Sequence, residues 1–193
     1  FKSTVGIKII MAVTGVLLFG FIIVHMAGNW LVFAGSDAIN SYAFLLKSKP
    51  VLLWSFRLGL LACVILHIWA AITVTIRNRA ARPLDYENAT PAGASLASRT
   101  MMISGIIVLA FIIFHLLHFT VGWIKPEFFS LHDEERHDVF GMVVRGFQIP
   151  WIATFYIVSV ALLGFHLSHG LMSMFRSLGL TNPAYRRAQE LFA

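Results

Sequence analysis

Four long runs of apolar residues, separated by polar and basic segments, set the pattern of this chain. The runs cover about residues 9–33, 51–76, 100–124 and 150–175. Each run is about 25 residues long, and a helix of about 20 apolar residues already spans the hydrocarbon core of a bilayer. The pattern therefore predicts an all-α integral membrane helix bundle with four spanning helices.

The connector between the first two runs predicts a short helix on the membrane surface. Gly35 and Ser36 should end the first spanning helix, and Ser36 or Asp37 should cap the short helix that follows. Pro50 should end that short helix before the second run begins.

The other connectors differ from one another in composition. Residues 84–98 are rich in Asn, Thr, Pro, Gly, Ser and Ala, which predicts a loop. The acidic connector after the third run contains an amphipathic segment, residues 139–147, which predicts a helix on the membrane surface. The tail, residues 181–193, begins with Asn-Pro, a helix-start signal.

Composition supports a membrane domain. The chain is 58% hydrophobic and 12% charged, with a mean hydropathy of +0.78, whereas soluble domains keep about 25% charged residues. The single cysteine, Cys63, lies mid-run, and alone it can form neither an internal disulfide nor an iron–sulfur site. We treat residues 1–193 as one transmembrane domain, and we expect an initiator segment to precede Phe1.

The distribution of the basic residues along the chain is typical of a membrane protein rather than of a nucleic-acid-binding protein. The net charge is +6, but the basic residues stand at the edges of the apolar runs, as the positive-inside rule describes. We therefore predict no nucleic-acid partner, contact with membrane lipid, and a multi-pass protein of the cell inner membrane with both visible termini cytoplasmic. The basic residues assigned to the cytoplasmic side are Lys2, Lys8, Arg77, Arg79, Arg82, Arg99, Arg176, Arg186 and Arg187.

Each apolar run carries a histidine past its midpoint: His25, His67, His115 and His166. An ionisable side chain inside a bilayer is costly and by default marks a functional site. Neutral imidazole is a standard axial ligand of haem iron. For any one histidine alone, the alternative is a structural hydrogen bond to a neighbouring helix.

The depths of these four histidines favour ligation. Under the predicted topology, His25 and His115 both lie roughly 5 Å to the outer side of the bilayer centre, given the helical rise of about 1.5 Å per residue. By the same count, His67 and His166 lie roughly 4–5 Å to the cytoplasmic side. The histidines thus form two level pairs, each able to hold one haem, and we predict two haem b groups in series across the membrane.

Two further histidines leave the choice of ligand open. His118 follows His115 by three residues, and His169 follows His166 by three, so each doublet shares one helix face. Spacing alone does not say which member binds iron. His132 and His137 lie in the acidic connector and are interpreted as surface residues.

Several short motifs together resemble the membrane anchor of succinate dehydrogenase and fumarate reductase, in its single-polypeptide, two-haem cytochrome b form. The likeness is spread over all four runs. The motifs are His25-Met-Ala-Gly-Asn-Trp, His67-Ile-Trp with its basic stop, Ser104-Gly105 with His115 ten residues further, and His166-Leu-Ser-His-Gly170 with Gly179 nine residues further.

The resemblance implies that the axial ligands of the haem iron are His25, His67, His115 and His166. In each doublet the ligand would therefore be the first member, His115 or His166. It implies flavoprotein and iron–sulfur subunits on the cytoplasmic face, which carry out the succinate chemistry. This chain would pass electrons between them and a membrane quinone, expected to be menaquinone. The segment Ala27–Tyr42 is the preferred place for quinone. Candidate quinone or propionate contacts are His118, His169, Asn29, Ser36, Asn40, Tyr42 and Arg57.

The chain departs from the family pattern in two ways. Such anchors have five spans, and four are visible, so we expect a fifth to be cut off or missing. Some two-haem members place an acidic proton carrier two residues before the fourth-run ligand, where this chain has Gly164, so a proton path of that kind is not expected.

Two other functions compete. The first is a dihaem cytochrome b anchor of a hydrogenase or formate dehydrogenase, which the histidine pattern fits equally well. The second is a haem-free transporter, which is disfavoured because the runs carry few other polar groups and show no broken helices with inverted symmetry.

Overall fold

Four long helices make up most of the structure, a computed structural model that describes residues 3–81, 96–133 and 136–180. They are α1 (Thr4–Asn29, extended by a 3₁₀ turn Trp30–Ala34), α3 (Pro50–Ala80), α4 (Leu96–Leu116, extended by a π-helical turn Leu117–Val121) and α7 (Pro150–Ser177). All four are long and apolar enough to cross a membrane. The prediction of a mainly helical chain with four helices long and apolar enough to span a membrane is confirmed in the described residues.

The helix ends differ from the predicted ends by a few residues. α1 begins at Thr4 rather than near residue 9, and α3 continues to Ala80 rather than ending near residue 76. Hydropathy marks where side chains turn polar, but the backbone of a helix continues as long as its hydrogen bonds do. α4 begins at Leu96, inside the predicted loop 84–98. The remainder of that loop and the predicted helical tail 181–193 lie outside the described residues.

Short elements form the connectors. They are α2 (Ser36–Lys47), α5 (Pro126–Phe129), the antiparallel strands β1 (His132–Asp133) and β2 (Arg136–His137), and α6 (Val139–Phe147). The bounds of α6 match the predicted surface helix 139–147. The two-stranded hairpin was not predicted, because its strands are too short for any alternation to show.

The predicted side-chain cap of α2 is wrong. The N-cap residue is Gly35, which has no side chain to offer, and no side-chain cap hydrogen bond forms there. The Asp37 carboxylate instead lies 3.4 Å from the Arg136 guanidinium. By contrast, Asp138 does cap α6, because its carboxylate accepts a hydrogen bond from the Gly141 backbone N–H at 2.8 Å.

Backbone contacts divide the chain into two units. Of the described residues, the first unit comprises 3–21, 57–81, 96–101 and 165–180, and the second comprises 22–56, 102–133 and 136–164. In the first unit, α1 packs on α3 through Ile7, Ala70 and Val74, all buried. The Arg77 guanidinium also donates to the Thr4 hydroxyl at 3.2 Å, which fixes the start of α1 against the end of α3.

In the second unit the connectors fold onto one another. α2 packs against α6 and against β2. Asn40 on α2 is 1% exposed: its amide donates to the Asp138 carboxylate at 3.2 Å and its carbonyl accepts from the Phe140 N–H at 2.9 Å. These bonds fix the acidic connector in place.

Candidate functional site: two pairs of histidines

The first pair, His25 on α1 and His115 on α4, comes together within the second unit. The two imidazole rings lie 5.7 Å apart between centroids, with their planes at 88°. An imidazole nitrogen binds a metal ion at about 2 Å, so two axial imidazoles on one ion have ring centres roughly 6 Å apart. The observed spacing is thus close to the one that two ligands of a single iron require.

His118 takes a different position from its partner in the doublet. Its side chain is 2% exposed and stacks on Phe119 at 3.9 Å between ring centroids. A Cβ atom at Gly146 would lie 3.2 Å from its Nε2, so His118 packs against α6. Its Nε2 is a buried polar atom without a hydrogen-bond partner in the described part of the chain.

Tyr156 on α7 links the two members of this doublet. Its hydroxyl lies 3.3 Å from Nδ1 of His115 and 3.2 Å from Nδ1 of His118. Sequence reasoning missed Tyr156. It lies in a different apolar run from the doublet, and no spacing rule relates residues 38 and 41 positions apart.

Aromatic rings surround the His115–Tyr156 contact and keep it apolar. The Phe111 ring lies 5.9 Å from His115 and 5.3 Å from Tyr156, and the Phe147 ring lies 4.9 Å from Tyr156. Hydrogen bonds between polar groups are stronger where water is excluded. The contact is therefore well placed to hold its partners in fixed orientations.

His25 contacts a polar side chain of its own helix. The Asn29 amide donates to the His25 backbone carbonyl at 2.8 Å, and the same nitrogen lies 3.3 Å from Nε2 of the ring. The His25 residue is exposed. Asn29, one of the predicted quinone or propionate contacts, thus lies beside this imidazole.

The second pair, His67 on α3 and His166 on α7, belongs to the first unit. Nδ1 of His67 lies 3.1 Å from the Met11 carbonyl oxygen and 3.1 Å from the Thr14 hydroxyl. Metal-binding histidines usually donate one ring N–H to a carbonyl and bind through the other nitrogen. His67 therefore has Nε2 available for a metal.

Gly15 lies beside the same ring. A Cβ atom there would stand 3.4 Å from Cε1 of His67, an ordinary packing distance, so the ring lies directly against α1.

His169, the second member of the doublet on α7, contacts its own helix. Its Nε2 lies 3.3 Å from the Ser173 hydroxyl, one turn further along α7.

The proposed quinone contacts belong to both units of the chain. Asn40 uses both ends of its amide to hold the connector, as described above. Tyr42 packs over Gly28, where an added Cβ atom would meet its hydroxyl at 2.9 Å. Ser36 is the first residue of α2. Arg57 belongs to the first unit, with His169, whereas the others belong to the second.

An apolar groove follows the end of α1, within and just before the segment preferred for quinone. It encloses about 630 Å³. Its wall is formed by a single stretch of chain, so it offers apolar surface but no convergent polar groups. The lining residues are Ile23, Met26, Ala27, Trp30, Leu31, Phe33 and Ala34.

His132 and His137 pair across the hairpin, with ring centroids 5.9 Å apart. Burial lowers the pKa of His137 from its usual value, and Lys47 and His132 lower it further, while Asp138 and the Leu131 carbonyl oppose the change. Charging His137 is thus less favourable in the folded hairpin than in the unfolded chain.

This difference predicts a pH dependence of the hairpin. Above about pH 6.5, the usual histidine pKa, His137 is neutral in both states and adds no penalty. As the pH falls through that value towards the lowered pKa of the folded state, the unfolded chain binds the proton more readily, so the hairpin loses stability. The protection factor for hydrogen exchange of the Asp138 N–H, which bonds to the Leu131 carbonyl at 3.0 Å, should therefore decrease below about pH 6.5.

His137→Gln is the matched variant, since it keeps a polar side chain that does not titrate. The protection factor of its Asp138 amide should change much less between about pH 7.5 and about pH 5, the range about the usual histidine pKa. An unchanged pH profile in the variant would assign the effect to another group.

Comparison of the chain with protein-family models, with curated proteins and with solved structures finds no match.

Proposed function

We propose that this chain is the haem-binding membrane anchor of a succinate:quinone oxidoreductase, with two bis-histidine haem b groups. The observation that carries the proposal is the His25–His115 pair. Two imidazoles from different spanning helices lie 5.7 Å apart between ring centroids. The pair of His67 and His166 in the first unit supports the second haem.

The residues present fit the proposed groups. No group of three or more His, Cys, Asp or Glu side chains suited to a metal ion occurs among the described residues. A haem needs only two axial ligands from the protein, because the porphyrin supplies the equatorial nitrogens. His25 with His115 would hold one haem, and His67 with His166 the other. When bound, each haem would supply reversible transfer of single electrons.

The polar groups around the histidines support ligation through one defined nitrogen. The Met11 carbonyl accepts the Nδ1–H of His67, and the Tyr156 hydroxyl is positioned to accept that of His115. Such partners fix the tautomer and direct the other ring nitrogen towards the metal. Ligation on both faces leaves no open iron position, so oxygen chemistry is not part of this proposal.

The assignment to succinate:quinone oxidoreductase rests on the motif resemblance rather than on the helices alone. Under this proposal, a flavoprotein and an iron–sulfur subunit bind the cytoplasmic face, where the basic residues concentrate. The succinate chemistry takes place in those subunits. This chain relays electrons to quinone in the inner membrane, and its own residues hold the haems and exclude water from them.

Haem quantitation of the purified chain tests the proposal. We expect a reduced-minus-oxidised spectrum of cytochrome b and two haems per chain. A preparation without haem would contradict both this function and any other dihaem cytochrome.

A second measurement identifies the enzyme that exchanges electrons with this chain. Purification of the native complex should bring down a flavoprotein that oxidises succinate or reduces fumarate. Copurification of a hydrogenase or formate dehydrogenase instead would keep the haems and overturn the assignment of the partner.

A further inference from the structure

We propose that Tyr156 is a positioning residue of the His25–His115 pair, and that its hydroxyl sets the tautomers of both His115 and His118. The inference rests on the proposed function, because it takes His115 as a haem ligand. It assigns a role to a residue on α7, which contributes no ligand to that pair.

The hydroxyl of Tyr156 has one hydrogen and two imidazole neighbours. Nδ1 of His115 lies 3.3 Å away and Nδ1 of His118 lies 3.2 Å away. A hydroxyl donates one hydrogen bond and accepts others. It must therefore accept from one of the two rings when it donates to the other.

Metal binding at His115 fixes the direction of this chain of hydrogen bonds. If His115 binds through Nε2, its Nδ1 carries the proton and donates to the Tyr156 oxygen. The Tyr156 hydroxyl then donates to Nδ1 of His118. His118 in turn keeps its proton on Nε2.

The protonated nitrogen of His118 is the one that the structure leaves without a partner. Its Nε2 is buried against Gly146 and makes no hydrogen bond among the described residues. A buried donor left unpaired costs about 1–3 kcal/mol. In this arrangement Nδ1 of His118 accepts from Tyr156, and the unpaired group is the Nε2–H donor.

The ring of Tyr156 is held independently of its hydroxyl. It is 7% exposed and makes edge contacts with Phe111, Phe119 and Phe147 at 4.9–5.7 Å between centroids. Tyr156→Phe keeps that packing and removes only the oxygen. The variant therefore isolates the hydrogen bonds.

Loss of the hydroxyl should change the electronic character of the ligand. A hydrogen-bond acceptor at the outer nitrogen raises the basicity of a metal-bound imidazole. A more basic axial ligand stabilises ferric over ferrous iron and lowers the potential of a haem. Removing the acceptor from His115 should therefore raise the midpoint potential of the haem that His115 holds.

The first unit provides a matched comparison. The Thr14 hydroxyl lies 3.1 Å from Nδ1 of His67, as the Tyr156 hydroxyl lies near Nδ1 of His115. At His67, however, the Met11 carbonyl also accepts from Nδ1, at 3.1 Å. Thr14→Val removes one of two acceptors. It should therefore shift the other haem in the same direction and by less.

Redox titration of the full chain, followed by optical and electron paramagnetic resonance spectra, tests the inference. We expect Tyr156→Phe to keep two haems and to raise the potential of one while the other is unchanged. Thr14→Val should raise the potential of the second haem only. A Tyr156→Phe protein with both potentials unchanged, or with both shifted equally, overturns the proposal.

The two proposals fail in distinguishable ways. A wild-type chain without haem defeats the proposed function. A wild-type chain with two haems and an unshifted Tyr156→Phe variant defeats only the role of Tyr156.

If Tyr156→Phe does not accumulate, the wild-type chain gives a second readout. Redox difference infrared spectra with ring-labelled tyrosine should show a tyrosine C–O band that changes at the potential of one haem and persists in Tyr42→Phe. Absence of that band overturns the role of Tyr156.

Discussion

Under the proposed function, replacing His115 with Ala should remove one of two haems, whereas replacing His118 with Ala should leave both. The His115 ring lies 5.7 Å from that of His25, and without it the haem held by that pair would have only His25 as a ligand. The His118 ring is buried against Gly146 and Phe119 instead. The measurement is the ratio of haem to protein in the purified variants.

His118→Ala is a demanding control, because it also leaves a cavity. Truncating a buried ring to Ala costs about 3–5 kcal/mol, so this variant should be less stable than wild type and yet hold two haems. Loss of one haem in His118→Ala, with two retained in His115→Ala, would reverse the assignment. The other doublet offers the parallel test: His166→Ala should lose one haem and His169→Ala should lose none.

Gly122→Ala should strongly destabilise the turn between α4 and α5. Gly122 has φ of +77°, a conformation that costs a residue with a side chain about 1–2 kcal/mol. Its Cβ atom would also overlap the Phe129 ring, and such overpacking adds about 1–3 kcal/mol. The thermal unfolding temperature of the purified chain in detergent should fall accordingly.

Two other glycines separate these contributions. Gly179 also has positive φ, at +71°, close to that of Gly122, but a Cβ atom there meets nothing within 4 Å, so Gly179→Ala reports backbone strain alone. Gly59 lies within α3 with ordinary backbone angles and open space around it. Its replacement by Ala should be neutral or slightly stabilising, since Ala is the better helix former. An effect at Gly122 no larger than at Gly179 would show that Phe129 moves aside freely.

The positions of the four long helices along the chain could be predicted from the sequence, because hydropathy is a local property. A run of about 20 apolar residues has few stable alternatives to a spanning helix once water is excluded. The bounds of α6 followed from its amphipathic pattern, which is local as well. The cap of α2 did not follow: Ser36 or Asp37 was the predicted cap, but the N-cap residue is Gly35. The Asp37 carboxylate lies instead beside Arg136, 99 residues further along the chain.

In the candidate site, too, some features could be predicted from the sequence and others depend on how the helices pack. The sequence by itself determined that each apolar run carries at least one histidine past its midpoint, and the helical rise predicts which of these histidines share a level. It left each doublet open, because residues three apart lie on the same face of a helix. Only the tertiary structure set His115 opposite His25 and turned His118 towards Gly146.

The groups that orient the histidines were likewise decided by tertiary structure alone. Tyr156 and Met11 lie on other helices than the rings that they contact. Neither residue type marks a site in a sequence, since tyrosine is common near membrane interfaces and every residue has a carbonyl oxygen. Hydrophobicity and helical period depend only on residues near one another in the sequence. A hydrogen bond between two helices that are far apart in the sequence depends on how those helices pack.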